Sequence, residues 1–409
     1  MRYVLVGGGV AAAATAAALR RRGFDGEIVL VADEPDAPYE RPPLSKDVLA
    51  GGDVVPARKP EWYADNGVEL RLSTRATAVD TAARTVRLAD GADSGKNSRK
   101  DTGEDLPYDA LVLATGMRAR RLAGFDGDRI HYLRTAADAR ALRAELTAAE
   151  RVVVLGAGFV GCEVAASAVG LGKQVTIFEP EPTPLARVLG AKIGTAVLDI
   201  HRARGVEVRT GEYVETCAPV GDRFVLDSNL GHRTEADLVL VGVGALPNVE
   251  LAARAGIATG DGILVDEFGR TSALDVWALG DVAAQSHHGR RVRVEHHDNA
   301  LRQGQTVAAN LTGEEKPHTD PHWFWSDHYE HKLQSVGRVR DLDDLVLRGS
   351  VEEGVFSAFS LTDGRLDGVI SLGRPGDVLA VRRALHSPHS VTADELRDES
   401  LPLKQLLSR

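Results

Sequence analysis

Gly7-Gly8-Gly9-Val10-Ala11-Ala12 and Gly156-Ala157-Gly158-Phe159-Val160-Gly161 are two glycine turns of the kind that cradles a pyrophosphate. In each, the first glycine (Gly7, Gly156) permits a tight turn and the second (Gly9, Gly158) lets backbone approach the phosphates. A small third residue (Ala12, Gly161) lets a helix pack closely on a strand. The helix then presents unpaired N–H groups and the positive end of its dipole to the anion. An acid for the ribose hydroxyls should follow roughly twenty residues on, and Asp33 and Glu179 stand near that spacing. Ligand-free glycine turns would explain one such unit; two units with both acids point to two dinucleotides bound together. Glu179 is followed by Pro180-Glu181-Pro182, and the next basic residue is Arg187, so a 2′-phosphate would meet carboxylates and NADH is favoured over NADPH.

The elements that must position these groups are legible as apolar runs. Arg2–Val6 and residues 152–155 read as strands feeding the turns, each turn opens an alanine-rich helix, and residues 27–31 and 174–178 read as the second strands that lead to Asp33 and Glu179. Residues 110–114 form a further buried strand ending in Thr115-Gly116, and residues 238–241 another ending in Gly242-Val243-Gly244. These two ends frame the second unit. The expected fold class is α/β: two Rossmann-like dinucleotide-binding domains and a small C-terminal α+β domain. The expected division is 1–116 and 242–316 for the first, 117–241 for the second and 317–409 for the third, whose short strands are punctuated by turns such as Thr362-Asp363-Gly364. The polar stretch from Asp90 to Asp105 lacks periodicity and reads as a hairpin insertion without chemistry.

Composition narrows the function classes. With 409 residues the chain has room for two or three domains, and its net charge of −10 lacks the basic footprint of a nucleic-acid binder. No apolar run approaches the ~20 residues of a membrane span, and a strand starting at Arg2 leaves no room for a signal peptide, so a cytoplasmic protein is expected. Cys162 and Cys217 are the only cysteines and form no CxxC pair, which argues against disulfide frameworks, structural zinc and cysteine-held clusters. Redox chemistry must then rest on organic cofactors or an external partner. Thirteen histidines include His318, His322, His328 and His331, but their spacing fits no zinc pattern and no cysteine is near them in sequence; they read as solvated or hydrogen-bonding residues, with no metal.

Beyond the glycine turns, Tyr39-Glu40-Arg41-Pro42-Pro43-Leu44-Ser45-Lys46, Ala114-Thr115-Gly116, Pro184 to Gly190, Ala278-Leu279-Gly280-Asp281-Val282 and Trp323-Phe324-Trp325-Ser326-Asp327 carry a resemblance over essentially the whole chain. The sequence resembles the FAD-dependent NADH:ferredoxin reductases of bacterial oxygenase systems, the putidaredoxin-reductase-like and aromatic-dioxygenase-reductase-like flavoproteins. The resemblance implies that Arg41 neutralises the flavin pyrophosphate and that Lys46 sits beside the flavin N5, its charge balanced by Glu163. It sets Asp281 on the ribityl chain, Arg134 against the flavin, Ala11 and Ala76 near the adenine half, and Trp325 near the flavin. Thr115, Gly116 and Gly244 belong to the cofactor-binding strand ends. For the nicotinamide cofactor it puts Arg187 over the adenine, Glu179 on the ribose and Glu295 on the carboxamide, where holding the ring face is the protein's main catalytic contribution. Trp323 and Phe324 fit core packing as well as function.

The sequence departs from the family pattern at His297, where relatives carry Trp or another apolar residue at the flavin; an imidazole there would make reduction pH-dependent. Met117-Arg118-Ala119-Arg120 also lacks the usual proline. The stretch Tyr39–Leu49 has no cysteine, so disulfide-reductase and peroxide-reducing chemistry lacks its relay thiol. The implied partner is a small [2Fe–2S] or other ferredoxin, serving indirectly a haem or Rieske-type oxygenase. A basic dock for it would draw on Arg290, Arg291, Arg293, Arg338 or Arg340. Two other readings remain open at this point: a quinone, monodehydroascorbate or oxygen reductase, and an apoptosis-inducing-factor-like NADH-sensing binding protein.

Overall fold

The computed structural model describes residues 1–90, 103–340, 342, 344–387 and 390–408. The chain divides into two compact units, one of residues 1–41, 54–118 and 245–320, the other of residues 42–53, 119–244 and 321–409.

In the first unit five strands run parallel in the order Val276–Ala278, Ala110–Leu113, Arg2–Val6, Glu27–Val31, Val68–Arg71. Continuous apolar sequence is required because both faces are covered. Tyr3, Leu5, Ile28, Leu30 and Val112 fall in one apolar layer, and Val4, Val6, Val29, Val31, Leu111 and Leu113 in the other. The alanine-rich helix Val10–Arg21 crosses the helix His297–Leu311 so closely that a Cβ on Gly304 would come 2.9 Å from the Ala11 carbonyl oxygen. Alanine serves both ends here, as a strong helix former and as a residue small enough for that approach. Strands Thr85–Asp90 and Glu104–Pro107 pair antiparallel; the centre of the expected hairpin insertion, residues 91–102, lies outside the described residues.

The second unit repeats the plan. Its parallel sheet has the order Glu207–Thr210, Gln174–Glu179, Arg151–Leu155, Leu238–Val241, Ile130–His131. Val152, Val154, Ile177 and Leu240 face one apolar layer, and Val153, Leu155, Phe178 and Val241 the other. The C-terminal segment forms a five-stranded antiparallel sheet, Trp323–His328, His331–Gly337, Arg365–Leu372, Val355–Thr362 and Val346–Ser350 in spatial order, with the helix Pro375–Ala384 packed on it. Asp363 (φ +50°) and Gly364 (φ +74°) both lie in the left-handed region between Thr362 and Arg365, a two-residue turn whose twist matches the flanking strands. Leu333, Phe356 and Leu372 of this sheet share one core with Val152, Val154 and Leu238, so the C-terminal segment is packed as part of the second unit. No helix among the described residues is long and apolar enough to cross a membrane.

Candidate active site

In the first unit, Gly7, Asp33, Gly116 and Asp281 each follow a strand of the parallel sheet, and therefore lie at its common carboxyl edge, where open α/β sheets bind ligands. Gly7 has φ +138°, and a Cβ there would sit 2.0 Å from the Ala114 carbonyl oxygen, so no other residue fits this turn. Gly9 caps the helix Val10–Arg21 without any side-chain bond, and a Cβ on it would meet nothing within 4 Å. The first-turn N–H groups thus have no side-chain cap, and there is room beside Gly9, as a pyrophosphate cradle requires. Ala11 is buried beneath them. Asp33 keeps a half-exposed carboxylate, 3.5 Å from Arg75, with Ala76 next along that strand at a register shift.

The remaining first-unit residues are held by polar bonds. Arg41 donates to Glu34 at 2.7 Å and to the Tyr39 hydroxyl at 3.0 Å, and its guanidinium lies 5.0 Å from the Tyr39 ring centroid. Burial opposes its charge, but Tyr39 and Glu34 outweigh burial and raise its pKa. Thr115 and Gly116 are fixed by Asn248, whose Nδ2 donates to the Thr115 carbonyl at 2.8 Å and whose backbone N–H donates to that of Gly116 at 3.0 Å. Asp281 sits in the short 3-10 turn Gly280–Val282, which Gln303 holds by accepting from the Gly280 N–H at 2.6 Å. Glu295, half exposed, accepts from Arg293 at 2.8 Å. His297, the first residue of its helix, meets the Glu40 carboxylate through Nε2.

The second unit presents the matching edge. Gly156 has φ +99°, with the Gly242 carbonyl oxygen 2.7 Å from a would-be Cβ, and a Cβ on Gly161 would lie 2.1 Å from the Gly156 carbonyl oxygen. Gly158 caps the helix Phe159–Gly170, again without a side-chain bond. Glu179 ends its strand and accepts from the Ala157 N–H at 2.8 Å and the Glu181 N–H at 2.9 Å, which anchors the acid to the turn itself. Arg187 is 83% exposed and pairs with Glu181. Gly244 (φ +99°) accepts from the Arg120 N–H at 2.9 Å. Arg134 precedes the helix Ala136–Ala148, its N–H donating to Asp138 at 3.0 Å beside the Thr135 capping box.

Lys46 and Glu163 come together in this same unit. Lys46 Nζ lies 3.0 Å from Glu163 and 3.7 Å from Asp327, and the Glu163 carboxylate accepts from the Ser45 hydroxyl at 2.5 Å and the Ser326 hydroxyl at 2.6 Å. Lys46 follows a 3-10 turn over Pro42–Ser45, where the paired prolines restrict the backbone. A buried carboxylate with two hydroxyl donors and an ammonium is well satisfied, so the pair is a fixed structural charge rather than a loose surface contact. On the strand Trp323–His328, Trp323 and Trp325 share one face and stack with centroids 4.9 Å apart, while Phe324 points the other way onto Phe159 at 5.0 Å. Arg382 lies over Trp323 at 4.8 Å, a packing role for that ring.

Sequence reading did not single out Ser326, Asn248 or Gln303 as site-positioning residues. Ser326 lies inside a motif noted for its aromatic residues, and only the fold carries its hydroxyl to Glu163; Asn248 and Gln303 carry no local signal. Two arginines offered for a docking surface prove to be committed elsewhere: Arg293, 12% exposed, bonds Asp261 and Glu295, and Arg340 lies 3.8 Å from Asp367. Arg291 donates to the Val265 and Ala284 carbonyls, which leaves Arg290 and Arg338 as the exposed members of that set without such bonds among the described residues.

Residues 1–304 match the family described as pyridine nucleotide-disulphide oxidoreductase, and residues 323–407 the domain described as reductase C-terminal. Rhodocoxin reductase of Rhodococcus erythropolis is 37% identical over 417 residues, spanning 100% of this chain and 95% of the relative. The ferredoxin–NAD(+) reductase component of the anthranilate 1,2-dioxygenase system of Burkholderia cepacia is 38% identical over 414 residues, spanning 99% of each. The reductase in the crystal structure of a covalent putidaredoxin reductase–putidaredoxin complex superposes with a TM-score of 0.92 at 35% identity, covering 100% of this chain and 98% of that one. The chain therefore belongs to the pyridine nucleotide-disulphide oxidoreductase family, its full-length relatives being the ferredoxin reductases it resembles, and it uses FAD and NAD(H).

Proposed function

We propose that this enzyme carries electrons from NADH through FAD to a small iron–sulfur ferredoxin that serves a monooxygenase or dioxygenase. Two uncapped glycine-turn helices, each opening at the carboxyl edge of its own parallel sheet, carry this reading. When bound, FAD supplies a hydride acceptor that hands electrons on singly. The chain's own groups bind and orient. Residues 1–116 and 242–316 hold FAD, with the Gly7–Gly9 turn and Arg41 on the pyrophosphate, Asp33 on the ribose and Asp281 on the ribityl chain. Residues 117–241 hold NADH through the Gly156–Gly161 turn and Glu179, while Glu295 orients the carboxamide.

Lys46, fixed by Glu163, is the cation that the resemblance sets beside N5, and hydride transfer itself needs no side-chain acid or base. Residues 317–409 form the partner-facing part, with Trp325 as its flavin-side aromatic group. Neither cysteine competes as a redox relay: Cys162 is wholly buried, and burial drives its thiol pKa far up, while Cys217, on the strand Val214–Val220, is raised to about 11 by burial. We place the enzyme in the cytoplasm, where free thiols stay reduced.

The test is NADH-driven cytochrome c reduction by the FAD-loaded enzyme with a panel of small ferredoxins. A saturable rise of at least tenfold with one ferredoxin is expected, weakening as salt is raised because charged patches steer the encounter. No rise with any ferredoxin, alongside fast reduction of quinones or oxygen, would move the function to a small-molecule reductase.

A further inference from the structure

His328 has a cysteine partner that its sequence neighbourhood does not reveal. Cys162 on the helix Phe159–Gly170, His201 near the end of the helix Ala191–Ala203 and His328 at the end of the strand Trp323–His328 converge inside the second unit. One ligand atom from each, a sulfur and two imidazole nitrogens, can be chosen so that all three lie within 4.8 Å of one another. All three residues are buried, at 1%, 1% and 0% exposure.

Hydrogen bonding accounts for this cluster only in part. His201 Nε2 lies 3.3 Å from His328 Nδ1, and His201 Nδ1 lies 3.1 Å from the Tyr329 hydroxyl. The Cys162 thiol donates to the Ala157 carbonyl at 3.5 Å, but whichever way the protons run along the imidazole chain, His328 Nε2 has no hydrogen-bond partner among the described residues. A buried polar group left this way is costly. Metal ligation would give the Cys162 sulfur and one nitrogen of each ring a shared partner. An ion bound at about 2.0–2.3 Å holds its ligands about 3.3–3.8 Å apart, so closure from the present geometry needs side-chain shifts of about 1 Å. Tyr329, bonded to the outer nitrogen of His201, is the kind of outer partner that orients a ligating imidazole.

We infer that Cys162, His201 and His328 form a buried site for one soft d10 cation, copper(I) or zinc(II), distinct from the dinucleotide sites. A thiolate with two imidazoles suits such ions and not magnesium or calcium. Copper(I) makes the group electrically neutral, since one thiolate balances one positive charge; zinc(II) leaves a net charge of one and calls for a fourth ligand. Binding breaks the Cys162 S–H bond, forms the metal–sulfur bond and releases one proton, with no change of oxidation state. The ion would pin two helices to the strand that carries Ser326, one residue from Cys162 being Glu163, and so would stiffen the frame of the Lys46 network. A site this enclosed loads as the chain folds.

The measurement is the metal content of the untagged, FAD-loaded enzyme purified from cells grown with added copper and, separately, with added zinc, together with X-ray absorption at the bound metal. About one equivalent per chain with sulfur and imidazole in the coordination shell is expected, and Cys162→Ser and His328→Gln should each lower it at least tenfold with FAD content unchanged. The arm that reaches one equivalent names the ion. Less than about a tenth of an equivalent from both media, or a shell without sulfur, would overturn the site. Should the variants fail to fold, the absorption spectrum of the unaltered enzyme still decides.

Discussion

Replacing Glu163 by glutamine is expected to slow reduction of the bound flavin by NADH about 30-fold and to lower stability by about 2 kcal/mol. The Lys46 ammonium is 16% exposed and lies 3.0 Å from Glu163. Ser45 and Ser326 bond different oxygens of Glu163, so glutamine keeps an oxygen acceptor for one hydroxyl and turns its NH2 to the other, which can rotate to accept; the change removes charge while largely keeping shape. Breaking a fully buried pair costs about 3–5 kcal/mol; here Asp327 at 3.7 Å gives Lys46 a second carboxylate and residual exposure adds screening, hence the lower figure. The larger effect is kinetic, because a cation displaced by about 1 Å from the reacting centre is enough to lose one to two orders of magnitude in rate. Stopped-flow reduction of Glu163→Gln, Lys46→Ala and the double variant checks this. Strong coupling, with the double variant no slower than Lys46→Ala, supports the pair; additive losses would mean that Glu163 and Lys46 act independently, and normal rates with full FAD in Lys46→Ala would remove Lys46 from its proposed place.

Glu179→Arg should lower the preference for NADH over NADPH by about 100-fold, through a loss for NADH and a gain for NADPH that act together. The wild-type carboxylate is held by the Ala157 and Glu181 N–H groups, so an acid is oriented at the turn at no further ordering cost on binding. Charge-assisted bonds to ribose hydroxyls are worth about 1.5–3 kcal/mol, or roughly 10–100-fold in affinity. Arginine removes them and adds a guanidinium suited to a 2′-phosphate. Arg187 does not already serve this purpose because Glu181 pairs with it. Values of kcat/KM for both nucleotides test the change; an unaltered preference would show that Glu179 does not touch the ribose.

Parallel strands buried on two faces are continuous apolar runs, and for that reason Arg2–Val6, Glu27–Val31 and Leu238–Val241 could be read directly from sequence. The Asp363-Gly364 turn was equally legible, since two consecutive left-handed residues call for that chemistry. The glycine turns carried their own spacing. What local pattern cannot encode is closure over long separations: Ser326 reaches Glu163 across 163 residues, and His328 reaches His201 across 127. The segment Pro42–Asp53 belongs to the second compact unit although it follows the first glycine-turn unit in sequence, and no composition shift marks that change of side. Ion pairing was hidden for the same reason, so Arg293 looked like a surface cation when it is spent on Asp261 and Glu295.

In the proposed function electrons enter in pairs from NADH and leave singly to a ferredoxin. An anaerobic titration of the FAD-loaded enzyme with limiting NADH and excess oxidised [2Fe–2S] ferredoxin tests it most directly. About two ferredoxin molecules reduced for each NADH consumed are expected, within the time of a few turnovers. Oxidation of NADH with the ferredoxin left oxidised, or a reduced enzyme–NAD complex that persists unchanged beside it, would rule out ferredoxin as the electron acceptor.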